Sequence, residues 1–218
     1  MKENKWSKIP NKKLIEETIN SLREKGINVI LVNNKEEALE KIKELIPAGS
    51  EIITGSSTTL DEMGFMDFLK SGKHKWKNLY EEIKKESDSI KRAELRRKAS
   101  ASEYFLGSVN AIVKTGELIA CDASGSRVGA YPFSAGKLIL VSGVQKITDS
   151  FKEGIKRVRE YVYPLENERA KKVYGMPSTF GKWVIIEREI FKDRITLILI
   201  KEGVGYWDEI KNNKKGGT

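Results

Sequence analysis

The stretch GINVILVNNKEEALEKIKELIPAGSEIITG, residues 26–55, decides the fold. Its first run, INVILV, is continuously apolar and rich in β-branched residues, the pattern of a strand covered on both faces. A helix begins near Asn34, with Glu37 three residues on as in a capping box, and Leu39, Ile42 and Leu45 line one side of it. Pro47 and Gly49 end that helix, and EIITG supplies a second strand. Just upstream, NKKLIEETINSLREKG repeats Ile15, Ile19 and Leu22 at helical spacing and closes on Gly26, where a C-cap glycine belongs. Two helices alternating with two strands point to parallel βαβ units in a doubly wound sheet.

Further along, GSSTTLDEMG leads into a charged, mainly helical stretch that runs through Arg97, is interrupted near Ser71 and Gly72, and covers one end or face of the sheet. Strand patterns return at VNAIV, ELIAC and KLILVSG, with Thr115 and Gly116 forming a hairpin turn between the first two. A helix follows from Thr148 or Asp149, with Phe151, Ile155 and Val158 on one face. KWVIIERE and ITLILI read as a closing antiparallel hairpin. The expected class is therefore α/β, an open and mostly parallel sheet with helices on both faces and antiparallel hairpins late in the chain. Residues 1–210 form one domain in this reading, and KNNKKGGT (211–218) forms a disordered tail.

Composition narrows the function. The 218 residues include one cysteine and one histidine, too few for a disulfide, a thiolate zinc site or an iron–sulfur cluster. Cys121 follows Leu118, Ile119 and Ala120 on a strand and reads as a buried structural thiol. No run approaches a membrane span, and the lysine-rich N-terminus lacks the apolar core of a secretory signal, so a cytoplasmic protein is expected. The net charge of +9 and the run KRAELRRK (91–98) invite a nucleic-acid reading, but the 31 acidic residues argue against a dedicated basic face. A chain rich in Lys, Glu and Ile with a single Gln suits a hot environment.

Ligands of open α/β sheets collect beyond the carboxyl ends of the strands. One loop there is TGSSTTLDEMG (54–64), where Gly55 permits close backbone approach, Ser56, Ser57, Thr58 and Thr59 carry hydroxyls, and helix N-terminal amides favour an anion. A plain Ser/Thr cap would need only one of those hydroxyls. There is no Walker A lysine and no GxGxxG, so nothing marks a nucleotide. A second loop is TGELIACDASGSRVG (115–129): Asp122 ends a strand and is the best available acid or base, Gly125 permits positive φ, and Arg127 can grip a carboxylate or phosphate with two prongs. Asp122 and Arg127 can equally pair with each other and pin the turn. In SGVQKIT (142–148), Lys146 can face the same crevice.

Taken together, these segments resemble the LUD-domain family, the lactate utilization proteins. GSSTTLDEMGFMDFLKSG resembles its strand-to-helix segment, with Glu62 and Gly64. ASEYFLGSVNAIVKTGELIACDASGSRV resembles its central segment at Ser108, Asn110, Ala111, Gly116, Asp122, Gly125, Arg127 and Val128. KLILVSGVQKITDSFKEGIKRVREYVYPLENERAKK resembles its last strand, turn, helix and P-L-N-x-x-R segment, through Asn167 and Arg169. The chain departs from the pattern at Gln145, where Asn is usual, and at the extra Glu166. VYGMPSTFGKW (173–183) also lacks the cysteine cluster that some relatives carry.

The resemblance implies a fold similar to the sugar-phosphate isomerases and CoA transferases. It also implies a part in oxidising lactate to pyruvate beside separate iron–sulfur or flavin subunits. An anionic small molecule would lie against Gly55, Ser56, Ser57, Thr58, Thr59, Glu62, Asn110, Gly116, Asp122, Gly125, Arg127, Lys146, Asn167 and Arg169. The cofactor is left unknown, no metal site is expected, and a homo-oligomer is left open. Two other classes stay open. One is an isomerase or transferase acting on a sugar phosphate or CoA ester through Glu62, Glu117 or Asp122; the other is a non-catalytic subunit or nucleic-acid module using residues 91–98.

Overall fold

The computed structural model describes residues 4–207, so the expected tail at 211–218 lies outside the described residues. Helix α1 (Lys12–Glu24) starts where the Asn11 side chain accepts the Leu14 N–H at 2.9 Å, and it buries Ile15, Ile19 and Leu22. After Gly26, at φ 80°, come β1 (Asn28–Val32) and α2 (Lys35–Leu45). Asn34 caps α2 by accepting the Glu37 N–H at 2.8 Å. The Glu37 carboxylate reaches back to the Asn33 N–H, also at 2.8 Å, so the capping box closes one residue early.

The chain continues through β2 (Glu51–Thr54), α3 (Thr58–Glu62), α4 (Phe65–Lys70), β3 (Lys77–Asn78), α5 (Leu79–Lys85), α6 (Ser89–Ala99) and β4 (Tyr104–Gly107). Next are β5 (Ala111–Val113), β6 (Leu118–Asp122), β7 (Lys137–Gly143) and β8 (Ile147–Thr148). Helix α7 (Phe151–Lys156) runs through a π-helical segment (Arg157–Val162) into α8 (Tyr163–Tyr174), and β9 (Lys182–Ile186) and β10 (Ile195–Ile200) complete the chain.

Six strands form a wholly parallel sheet in the order β1-β10-β7-β4-β2-β3. Its central strands are buried on both sides. Leu138 and Leu140 of β7, with Ile195, Leu197 and Leu199 of β10, join the core under α1 and the smaller sheet. Ile139, Val141, Ile198 and Ile200 point the other way, toward α2, α3 and α4. The smaller sheet is mixed, in the order β8-β5-β6-β9. Among the described residues, no helix is long and apolar enough to cross a membrane.

The parallel sheet with helices on both faces is as the periodicity predicts, and the β5–β6 hairpin turns at Gly116 (φ 97°), whose N–H donates to the Val113 carbonyl at 2.8 Å. The closing hairpin is a different matter. Strand β9 pairs antiparallel with β6 in the smaller sheet, while β10 lies parallel between β1 and β7. ITLILI is apolar at nearly every position, so it belongs where both faces are covered, and an edge hairpin would expose half of it. Strand β1 lies at the edge of the sheet, yet it is covered on both faces: Val29 joins the core under α1 and Val32 the core under α2, while Leu31 is 36% exposed. Strand β4 has no counterpart in the sequence reading, because YFLG is only four residues long and ends in glycine. The cap of α7 is Ser150, which accepts the Glu153 N–H, one residue past the expected Asp149.

Candidate functional site

Loops leaving the carboxyl ends of β2, β4, β7 and β10 converge at one edge of the parallel sheet. Their meeting point is the Lys146 ammonium, on the turn after β7 and only 5% exposed. It donates to Thr59 Oγ1 and Ser108 Oγ, both at 2.9 Å, and to the Val109 carbonyl at 3.2 Å. Thr59 comes from α3, just beyond β2, and Ser108 directly follows β4. Burial, reinforced by the nearby Arg157 guanidinium and opposed by Glu62, holds the Lys146 pKa well below the usual lysine value. Glu62 accepts the Gly205 N–H at 2.7 Å from the loop after β10. The residue as a whole is exposed, but its carboxylate end is turned inward, and partial burial is the largest influence raising its pKa.

Two glycines shape this convergence. Gly107 has no room for a Cβ, which would lie 2.0 Å from the Tyr131 hydroxyl. That fully buried phenol donates to the Ser108 carbonyl at 3.0 Å and accepts the Ser108 N–H at 3.1 Å, clamping the end of β4. At Gly55, a Cβ would meet the aliphatic stem of Arg127 at 3.2 Å, so the two serine-rich loops touch there.

In the second loop the Asp122 carboxylate accepts the backbone N–H groups of Gly125, Arg127 (3.1 Å) and Val128 (3.0 Å). Arg127 donates from Nη2 to the Cys121 carbonyl at 2.7 Å, and its Nε lies 3.8 Å from Asp122. Asp122 therefore organises its own loop. Burial pushes the Cys121 thiol up to about 11, which leaves it protonated and inert at neutral pH.

An outer rim comes from α8. Arg169 forms a two-pronged pair with Glu166, both contacts at 2.7 Å, and lies over the Tyr174 ring. Tyr206 donates to the same Glu166 carboxylate. The Ser56 hydroxyl, and then Arg169, hold the Tyr174 phenol below its ordinary pKa, so the first loop also reaches α8. Glu166, the extra residue in PLENERA, is thus the counter-charge of Arg169.

Of the residues expected to bind a ligand, Thr59 and Lys146 bond directly, and Glu62 acts electrostatically on Lys146. Gly55 and Arg127 pack together, and Ser56 and Arg169 share Tyr174. Ser57 serves as the N-cap of α3, accepting the Leu60 N–H at 3.3 Å, with Thr58 opening the helix. Elsewhere, Gly116 sits at the hairpin tip against the Ser21 carbonyl, and Gly125 packs on Lys182. The Asn110 side chain accepts the Cys121 N–H at 2.8 Å, and Asn167 accepts the Ser178 N–H at 3.0 Å. The sequence reading did not place Tyr131, Arg157, Tyr174 and Tyr206 in this region, and it named Ser108 only as matching the family's central segment. One signal for Arg157 was available: it falls three residues after Gly154 and four before Tyr161, on the inward side of its helix.

Comparison with known proteins adds three findings. The LUD domain model matches residues 15–200. A DUF162 family protein from Deinococcus radiodurans is similar in structure, with a TM-score of 0.53 at 14% identity, covering 86% of this chain and 96% of that one. The delta subunit of eIF2B from Chaetomium thermophilum aligns with a TM-score of 0.36 at 16% identity over 66% of this chain and 58% of its own. A search of curated proteins gives no match.

Proposed function

Because the chain belongs to the LUD domain family, we propose that it is a lactate-utilization-type protein that binds an anionic small molecule over the carboxyl ends of β2, β4, β7 and β10. The observation that carries this reading is Lys146, a buried ammonium at a strand end, held by the hydroxyls of Thr59 and Ser108. Burying a cation is costly unless it is paired, and here the nearest carboxylate acts without a direct bond. An incoming anion offsets that cost. Thr59 and Ser108 keep the ammonium in place, and Arg127 adds positive potential from the neighbouring loop. Asp122, committed to three backbone N–H groups, serves as scaffold in this reading and not as acid or base. Electron transfer in lactate oxidation then falls to separate iron–sulfur or flavin subunits, since a single protonated thiol cannot hold a cluster.

Thermal-shift titration with lactate, pyruvate and inorganic phosphate tests this. At least one anion should raise the melting temperature of the wild type, and Lys146→Met should abolish the rise while remaining folded by circular dichroism. An equal rise in the variant would place binding elsewhere and sink the reading.

One observation favours a second reading as an isomerase or transferase of sugar phosphates or CoA esters. Glu62, an acid of raised pKa, lies within electrostatic reach of a lysine of lowered pKa, a pairing suited to moving a proton. Turnover of such a substrate, lost in Glu62→Gln, would support it.

A further inference from the structure

Arg157 lies in the π-helical segment between α7 and α8 and is 1% exposed. Its Nη1 donates to the Asn110 carbonyl, next along the chain from the Val109 carbonyl that accepts from Lys146. The two cations are therefore hung from consecutive peptides, and each acts electrostatically on the site they share. The other two nitrogens of Arg157, Nε and Nη2, are buried and have no hydrogen-bond partner among the described residues. These two atoms are the side-on edge of a guanidinium. Arg169 uses the same pair to grip both oxygens of Glu166, so this protein already shows what the edge fits.

The surrounding charges indicate the size of the missing partner. Arg127 stands beside Asp122, Arg169 is paired with Glu166, and Lys146 feels Glu62. Among the described residues Arg157 has no ion-paired carboxylate; the centre of the Tyr161 ring lies 5.5 Å from its Cζ, and burial lowers its pKa only to about 10, so the guanidinium stays charged at neutral pH. A single positive charge, two coplanar donors and an enclosed position match one planar monoanion better than a tetrahedral dianion. Leaving two such donors without a partner is unfavourable by an amount comparable to lost charged hydrogen bonds.

We infer that the side-on edge of Arg157 is the carboxylate-binding element of this protein, receiving the two oxygens of a small monocarboxylate whose remaining atoms extend toward Lys146, Thr59 and Ser108. The inference rests on the anion-binding reading and names the class of anion. π-Helical insertions recur at functional sites because they shift a side chain out of helical register, and here the shifted turn is the one that carries Arg157.

The test uses the full chain labelled with 15N-arginine. Sodium pyruvate and sodium acetate should each shift the Nε–H resonance that is missing from Arg157→Lys, whereas inorganic phosphate should leave it in place. Calorimetry should show pyruvate binding weakened about tenfold or more in Arg157→Lys, which keeps the charge but loses the fork. If the wild type binds pyruvate and neither that resonance nor the affinity responds to Arg157, the inference fails while the broader reading stands. A response to phosphate alone would overturn the carboxylate assignment. Binding of no anion at all by the wild type would overturn both, and would leave the edge to a buried water. Should Arg157→Lys fail to fold, the same Nε–H resonance is assigned by through-bond experiments on the wild type, so the titration remains decisive.

Discussion

Lys146 illustrates how one residue ties stability to pH. Its pKa is lowered in the folded protein, so between that lowered value and the ordinary lysine value of about 10.4 the unfolded chain binds more protons than the native one. Stability contributed at this position therefore rises with pH across that window. Urea titrations should show the wild type gaining on Lys146→Met as pH increases through the alkaline range toward 10, with no such trend for exposed Lys91→Met. Cys121 gives a kinetic counterpart: a thiol held near 11 has roughly a hundredfold less thiolate at pH 8 than a free one, and native protein should react correspondingly slowly with Ellman's reagent. For Asp122, replacement by alanine removes the acceptor of three backbone N–H groups and should cost about 2–4 kcal/mol in urea unfolding. Asn, which retains one oxygen, should cost less. An unchanged stability in Asp122→Ala would return this residue to the list of ligand-binding groups.

Among the elements, β4 shows what sequence could not supply. Its four residues carry too little periodicity to be recognised, yet it lies at the middle of the parallel sheet and delivers Ser108. What fixes it is tertiary: Tyr131 fills the space over Gly107 and bonds both polar atoms of the Ser108 backbone. Gly107→Ala should lower stability by about 1–3 kcal/mol, seen as a fall of several degrees in melting temperature, and should weaken anion binding by displacing Ser108. The β9–β10 misreading has a related cause. Alternation and apolar runs tell how many faces of a strand are covered, but not which strand lies alongside, so two neighbouring strands with an eight-residue link were natural partners on paper. Arg157 was illegible for a third reason. On an amphipathic helix an arginine flanked by Lys156 and Arg159 reads as surface, and only its spacing from Gly154 and Tyr161 hints that it faces inward.

At the scale of the molecule, the α/β class and the helix-covered parallel sheet were written in the alternation of INVILV, α2 and EIITG, because burial of both faces demands continuous apolar runs. The same logic points to the strand ends for a ligand, and Thr59 and Lys146 lie beyond the ends of β2 and β7, with Arg127 packed against Gly55 beside them. Which polar groups are spent on scaffold and which are free to receive something depends on pairing in three dimensions, and composition carries no record of that. Asp122 and Asn110 belong to the first kind. The passage of the chain from β4 to β5 has a mechanical meaning as well. Residues 108–110 leave the larger sheet and enter the smaller one, and both buried cations are fastened to that crossing through the Val109 and Asn110 carbonyls. A molecule lodged there would act as a rivet between the two layers, slowing deuterium uptake by the β5–β6 hairpin that begins directly beyond that crossing.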